Sequence, residues 1–266
     1  MVGFNRTIWL TWFQGWDKAP EIAEHCLESW KYHNPEWDVV LLDDTNYKDH
    51  CDIDLVLPGL KTNNISLGDI LRLFLLKEHG GVWADATLFC NKPLDNWIFD
   101  INDSFVFTRS DKMIASWFVA ALKDSRVLDI WYEEMVKFWT YRIAETDQFE
   151  QQYGWIHGLF RHCYSGNAEF RKIVDSWDKI DCTSDGNSRG NGPHLFAPYR
   201  EYFYRPISDE IARRIDSKVD PVYKLSYKAG TDWRAPEARG IHPTDTKIMM
   251  DYPTNSELHY LLNTLK

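Results

Sequence analysis

The run from Ser66 to Phe89, SLGDILRLFLLKEHGGVWADATLF, constrains this chain more than any other stretch. Its first part is apolar nearly all round at helical spacing, so the helix it forms must be deeply buried. Ser66 stands where it can cap that helix, and Asp69 follows three residues later as a short-armed capping box. Gly80-Gly81 ends it, glycine being suited to a left-handed turn. Val82 to Phe89 then reads as a strand, whose period of two sets Trp83, Asp85, Thr87 and Phe89 on one side. A helix and a strand that are both buried belong to an α/β architecture.

The flanking segments agree. Residues 7–13 (TIWLTWF) are β-prone and halt at Gln14-Gly15. Pro20 opens a helix with Ile22, Cys26, Leu27 and Trp30 on one stripe, and Asn34-Pro35 stops it. Trp37 to Leu42 is a second strand, so the order predicts a parallel βαβ unit. Further on, a strand is expected at 105–108 and helices at about 126–145, 153–164, 168–178 and 256–265. Residues 183–193 (TSDGNSRGNGP) read as loop. The expected organisation is an α/β core over 1–123, a helical insertion over 124–180 and a C-terminal segment over 181–266.

Charge and composition narrow the functional classes. The 30 Lys+Arg against 40 Asp+Glu leave a net charge of −10, which argues against a nucleic-acid binder. The five cysteines are scattered with no C-x-x-C pair, so a disulfide framework and a zinc knuckle are not expected. Nothing resembles a signal peptide, and no stretch approaches the roughly 18 apolar residues of a spanning helix. A cytoplasmic protein, able to work at the inner face of a membrane, is the expectation. The 13 Trp fit either a core or flat platforms for sugars and nucleobases.

Acidic residues inside apolar runs are the informative oddity. Asp69 and Arg72 lie three apart and share a helix face. They can form an internal salt bridge, or present an acceptor and a planar donor to a hydroxylated or phosphorylated ligand. Asp85 is costly to bury without a partner. Backbone donors or Arg72 can satisfy it, or it can ligate Mg²⁺ or Mn²⁺ with Thr87 on the same side. His194 and His242 are loop histidines that can hydrogen-bond locally or complete such a metal site.

The block Ser66-Leu-Gly-Asp69, Arg72, Gly80-Gly81, Trp83 and Asp85-Ala-Thr87 resembles the signature of DXD-type sugar transferases, as in glycosyltransferase family 32 and the large clostridial glucosylating toxins. The pattern from Ile8 through Trp12, Gly15, Trp16 and Pro20, with Glu28-Ser-Trp30, Asn34-Pro35, Ser116-Trp-Phe118 and the later Lys224 to Lys228 segment, is similar to capsular polysaccharide synthesis proteins.

The resemblance implies a GT-A type, Rossmann-like nucleotide-sugar-binding domain with a helical insertion. It implies a hexosyltransferase using a UDP-sugar, retaining and assisted by Mn²⁺ or Mg²⁺. Its acceptor would be a glycan or lipid-linked oligosaccharide. Trp12 would stack on uracil, with Gln14 and Gly15 on the donor side. Asp69 and Arg72 would contact the donor sugar and diphosphate, and Asp85 would take the first metal-binding place. Thr87 departs from the second Asp of that motif. Lys224 and Lys228, bounded by Pro221 and Gly230, can close over the phosphate or be ordinary surface lysines. Trp117, Tyr153 and His157 are acceptor-side candidates. A protein-modifying transferase and a non-catalytic scaffold of the same fold are the alternatives.

Overall fold

A computed structural model describes residues 4–98, 101–109, 113–145, 154–182, 192–196, 201–226 and 252–266. The chain divides into two compact units that interleave in sequence. One comprises Met1–Phe13, Val40–Ala84 and Asp100–Ile180, the other Gln14–Val39, Asp85–Phe99 and Asp181–Lys266.

The first unit is built on a five-stranded sheet. Its strands are β1 (Thr7–Thr11), β2 (Asp38–Leu42), β3 (Gly81–Ala84), β5 (Ser104–Arg109) and β6 (Met113–Ala121), in the order β2-β1-β3-β6-β5. β1 and β3 run parallel, with Ile8 opposite Val82 and Trp9 opposite Trp83. β6 is antiparallel to both β3 and β5, and the β5 ladder slips between Val106 and Thr108. The α/β class expected from the sequence is therefore observed.

The short α2 (Ile53–Val56) precedes α3 (Asn64–His79), whose Ile70, Leu71, Leu73, Leu75 and Leu76 are all buried. A helix that hydrophobic must be covered on several sides, and it packs against β3, β6 and α4 (Arg126–Glu145). α5 (Trp155–Gly166) and α6 (Ala168–Asp175) complete this layer. Most of its large rings are core: Trp131 meets Phe160 edge-on at 4.9 Å, and Trp139 meets Trp155 at 5.4 Å.

Two expectations are corrected at the ends of α3. The cap is Asn63, whose side chain accepts from the Ser66 N–H at 2.8 Å; Ser66 lies inside the helix and is buried. Asp69 consequently does not serve a capping box and bonds Arg72 instead. At the other end Gly80 and Gly81 have φ of 69° and 94°. A Cβ on Gly81 would stand 2.5 Å from the Thr7 carbonyl oxygen, against the neighbouring strand. Gly81→Ala is expected to cost about 3 kcal/mol through φ strain and overlap. Denaturant unfolding checks this, and an unchanged midpoint would show that the turn can relax.

The second unit gathers α1 (Glu21–His33), the two-stranded pair β4 (Leu88–Cys90) and β7 (Val222–Lys224), α7 (Asp209–Asp216) and α8 (Glu257–Asn263). α1 packs on β4, where the Trp30 indole N–H donates to the Leu88 carbonyl at 2.7 Å. Asn34 ties the end of α1 down: its amide donates to the Trp30 carbonyl, and its oxygen accepts from the Leu94 N–H. Phe89, Phe196, Tyr202, Phe203, Tyr223 and Leu261 form this unit's core.

All five cysteines are buried thiols. Burial pushes Cys90 and Cys163 up to about 12, so neither is a ready nucleophile. Among the described residues no helix is long and apolar enough to cross a membrane.

Candidate active site

The regular strand expected over 82–89 is broken. β3 ends at Ala84, the Leu88 N–H closes a turn onto the Asp85 carbonyl at 2.9 Å, and β4 begins at Leu88 in the other sheet. Trp83, Asp85, Thr87 and Phe89 therefore do not share one strand face. The turn answers the cost of a carboxylate in an apolar run, because the Asp85 side chain keeps 31% of its exposure. Two polar clusters result, one in each unit.

In the first unit Asp69 and Arg72 form a buried ion pair within α3, their side chains 11% and 5% exposed. Asp precedes Arg by three residues, the spacing at which side chains meet on a helix. The Arg72 guanidinium lies 5.0 Å from the Trp83 ring centroid, so an aromatic face supports it as well. Its orientation is thus held by two neighbours.

Trp12 follows β1, its backbone N–H donating to the Leu42 carbonyl at 2.9 Å. It is half-buried, whereas Trp9 is buried and donates its indole N–H to the Gly80 carbonyl. Trp117 is buried on β6 and stacked on Phe107 at 5.2 Å. Its neighbour Ser116 lies 3.3 Å from His157 Nε2; successive strand residues face opposite sides, so this contact does not join His157 to the Trp117 face.

In the second unit Lys224 reaches the Asp85–Thr87 turn. Its Nζ donates to Asp85 Oδ2 at 3.0 Å and to Thr87 Oγ1 at 2.9 Å. The Lys224 side chain is 15% exposed. The backbone fixes this meeting: Leu88 pairs with Lys224 across β4 and β7, and the Leu225 N–H donates to the Thr87 carbonyl at 2.9 Å. Gln14 is half-buried, and Gly15, with φ of 93°, opens a short 3-10 turn over Trp16–Lys18. His194 is buried beside β7, its backbone N–H donating to the Cys182 carbonyl at 3.1 Å. Tyr153, Lys228 and His242 lie outside the described residues.

The donor set at the turn does not suit Mg²⁺ or Mn²⁺. Such ions take several oxygen ligands, carboxylates above all. Among the described residues the turn offers one carboxylate and one neutral hydroxyl, and an ammonium already bonds both. Unit charges 4 Å apart interact by about 4 kcal/mol at the effective dielectric near a protein surface, and a dication beside that ammonium would meet twice that repulsion. Among the described residues no group of three or more His, Cys, Asp or Glu side chains could hold a metal ion.

Sequence reasoning names Lys224 but not its partners, which lie 137 and 139 residues away. Only strand pairing reveals them. The Trp83 support of Arg72 is likewise non-local, although an aromatic two residues after Gly-Gly is a visible hint.

The fold and these clusters describe an α/β protein with fixed cationic and carboxylate groups. Residues 2–237 match the capsular polysaccharide synthesis protein family, and the chain belongs to it. It is 24% identical over 160 residues to the O-glycosyltransferase braB of Annulohypoxylon truncatum. That alignment covers 51% of this chain and 38% of the relative, so the chain spans about two fifths of that protein's length. Among solved structures, the PaToxG glycosyltransferase aligns with 65% of this chain and 73% of its own, at a TM-score of 0.42 and 12% identity.

Proposed function

We propose that this chain is a glycosyltransferase of GT-A type. It would move a sugar from a nucleotide sugar, a UDP-sugar by the resemblance of its motifs, to a glycan or lipid-linked acceptor in surface polysaccharide synthesis. Beyond family membership, the observation that carries this reading is the Asp69–Arg72–Trp83 cluster. A helix buried this thoroughly gains little from an ion pair, since well-packed apolar residues of similar volume are often as stable or more so. A guanidinium held by a carboxylate and an aromatic face is, however, ready for phosphate or sugar oxygens.

In the reaction the bond between the anomeric carbon and the diphosphate oxygen breaks, and its electron pair goes to the diphosphate. The acceptor oxygen bonds to the same carbon, on the same face for a retaining enzyme, and its proton passes to a phosphate oxygen. Charge grows on the leaving group, where fixed cations stabilise the transition state more than the ground state. Arg72 is assigned that work in the first unit, Asp69 the donor sugar, and half-buried Trp12 the uracil ring. Gln14, Gly15 and Lys228 remain donor-binding residues, and Trp117, Tyr153 and His157 acceptor-binding ones, only by the resemblance of the motifs.

Calorimetry with UDP, together with a hydrolysis screen of UDP- and GDP-sugars, tests this reading. Binding and slow donor hydrolysis are expected with UDP-sugars. Trp12→Ala should weaken UDP by about 1–3 kcal/mol, the range for base–aromatic stacking. A folded chain that binds no nucleotide sugar would overturn the reading.

A further inference from the structure

We infer that Lys224 stands in for the divalent cation, so that its ammonium, seated between Asp85 and Thr87, is a positive charge that meets the leaving diphosphate and transfer needs no metal. The inference rests on the transferase reading and specifies its chemistry.

Three observations carry it. The first is placement. Lys224 lies on β7 between Tyr223 and Leu225, which are both buried in the core of the second unit. Its partners across the ladder are backbone atoms of the same turn that bears Asp85 and Thr87. A partly exposed ion pair is too weak to organise a strand. Pairing and core burial position the ammonium, and the carboxylate then receives it.

The second is bonding capacity. An ammonium has three N–H donors and no acceptor. The bonds to Asp85 Oδ2 and Thr87 Oγ1 use two of them, which orients a third donor that a phosphate oxygen can accept.

The third is charge conservation. A motif of two carboxylates with a dication sums to zero. One carboxylate, a neutral hydroxyl and one ammonium also sum to zero. Thr87 in place of the second Asp therefore fits a monocation, where a second carboxylate would leave the cluster negative and repel diphosphate. When the anomeric C–O bond breaks, the electron pair it leaves on the diphosphate oxygen is met by a hydrogen bond from Lys224, and the ammonium keeps its protons.

The test uses the whole chain, freed of metal with EDTA. Mn²⁺ is titrated and followed by its EPR signal, with and without UDP, and donor turnover is measured in EDTA and in Mn²⁺. The expected results are Mn²⁺ uptake no greater than UDP alone explains, and turnover in EDTA within about twofold of that in Mn²⁺. Lys224→Met should weaken UDP roughly tenfold to a hundredfold, as loss of a charge-assisted hydrogen bond does. UMP should be little affected, and Lys224→Arg should recover part of the loss. Stoichiometric Mn²⁺ binding by the native chain, or turnover that EDTA abolishes and Mn²⁺ restores, would overturn the inference while leaving the transferase standing. The EPR arm needs no variant, so misfolding of Lys224→Met does not blunt it. If UDP and all nucleotide sugars fail to bind, the transferase reading falls and this inference with it.

Discussion

Replacing Arg72 with Ala is expected to destabilise the first unit by about 3–5 kcal/mol, because it leaves the Asp69 carboxylate buried without its cation. That loss alone does not separate a structural ion pair from a donor contact. The double replacement Asp69→Leu with Arg72→Leu does. Exchanging a buried pair for apolar side chains of similar volume is often neutral or stabilising, so this variant should melt near the parent temperature. Its turnover should nevertheless fall by about a hundredfold or more, the size found when a preorganised group facing developing negative charge is removed. Thermal unfolding and donor hydrolysis on the same sample check both halves. A stable double variant with parental turnover would assign the pair to folding only.

Asp85→Asn is the second large effect. The amide oxygen can still accept from Lys224, but the charge-assisted bond that holds the ammonium in position is weakened. Turnover should drop by about two orders of magnitude, while stability changes by no more than about 1 kcal/mol because the pair is partly exposed. Circular dichroism and initial rates decide it. Parental rates in a folded Asp85→Asn chain would remove Asp85 from the chemistry. Thr87→Asp should also lower the rate in EDTA, since it adds a negative charge next to the leaving diphosphate.

Local pattern determined a good deal of this protein. The helical spacing of Val127, Trp131, Met135, Phe138 and Trp139 marks α4, and the structure has that helix over Arg126–Glu145. The all-round apolar character of 67–76 demands a buried helix, and α3 is one. Gly80-Gly81 marks its end because only glycine is at ease with those φ values. Asp69 and Arg72 stand out as polar residues in that run, and their meeting follows from a spacing of three. All of these depend on side chains within one or two turns of each other, where residue spacing maps directly onto geometry.

What tertiary structure alone decided are the meetings between distant segments. β6 is buried at every position over 114–121, without alternation and apolar except for Ser116, because it lies between β3 and β5 and α3 and α5 pack against it. The run from Trp83 to Phe89 reads locally as one strand, yet it splits at Asp85 between two sheets. The partners that end β3 and start β4, strands β6 and β7, come from elsewhere in the chain. Asp85 and Thr87 look like metal ligands when only the local motif is considered. The ammonium that bonds both arrives from Lys224, more than 130 residues later, through β4–β7 pairing and a core of Tyr223 and Leu225. Which charge fills a motif depends on long-range strand register, and register is set by burial across the whole unit rather than by the motif's own residues.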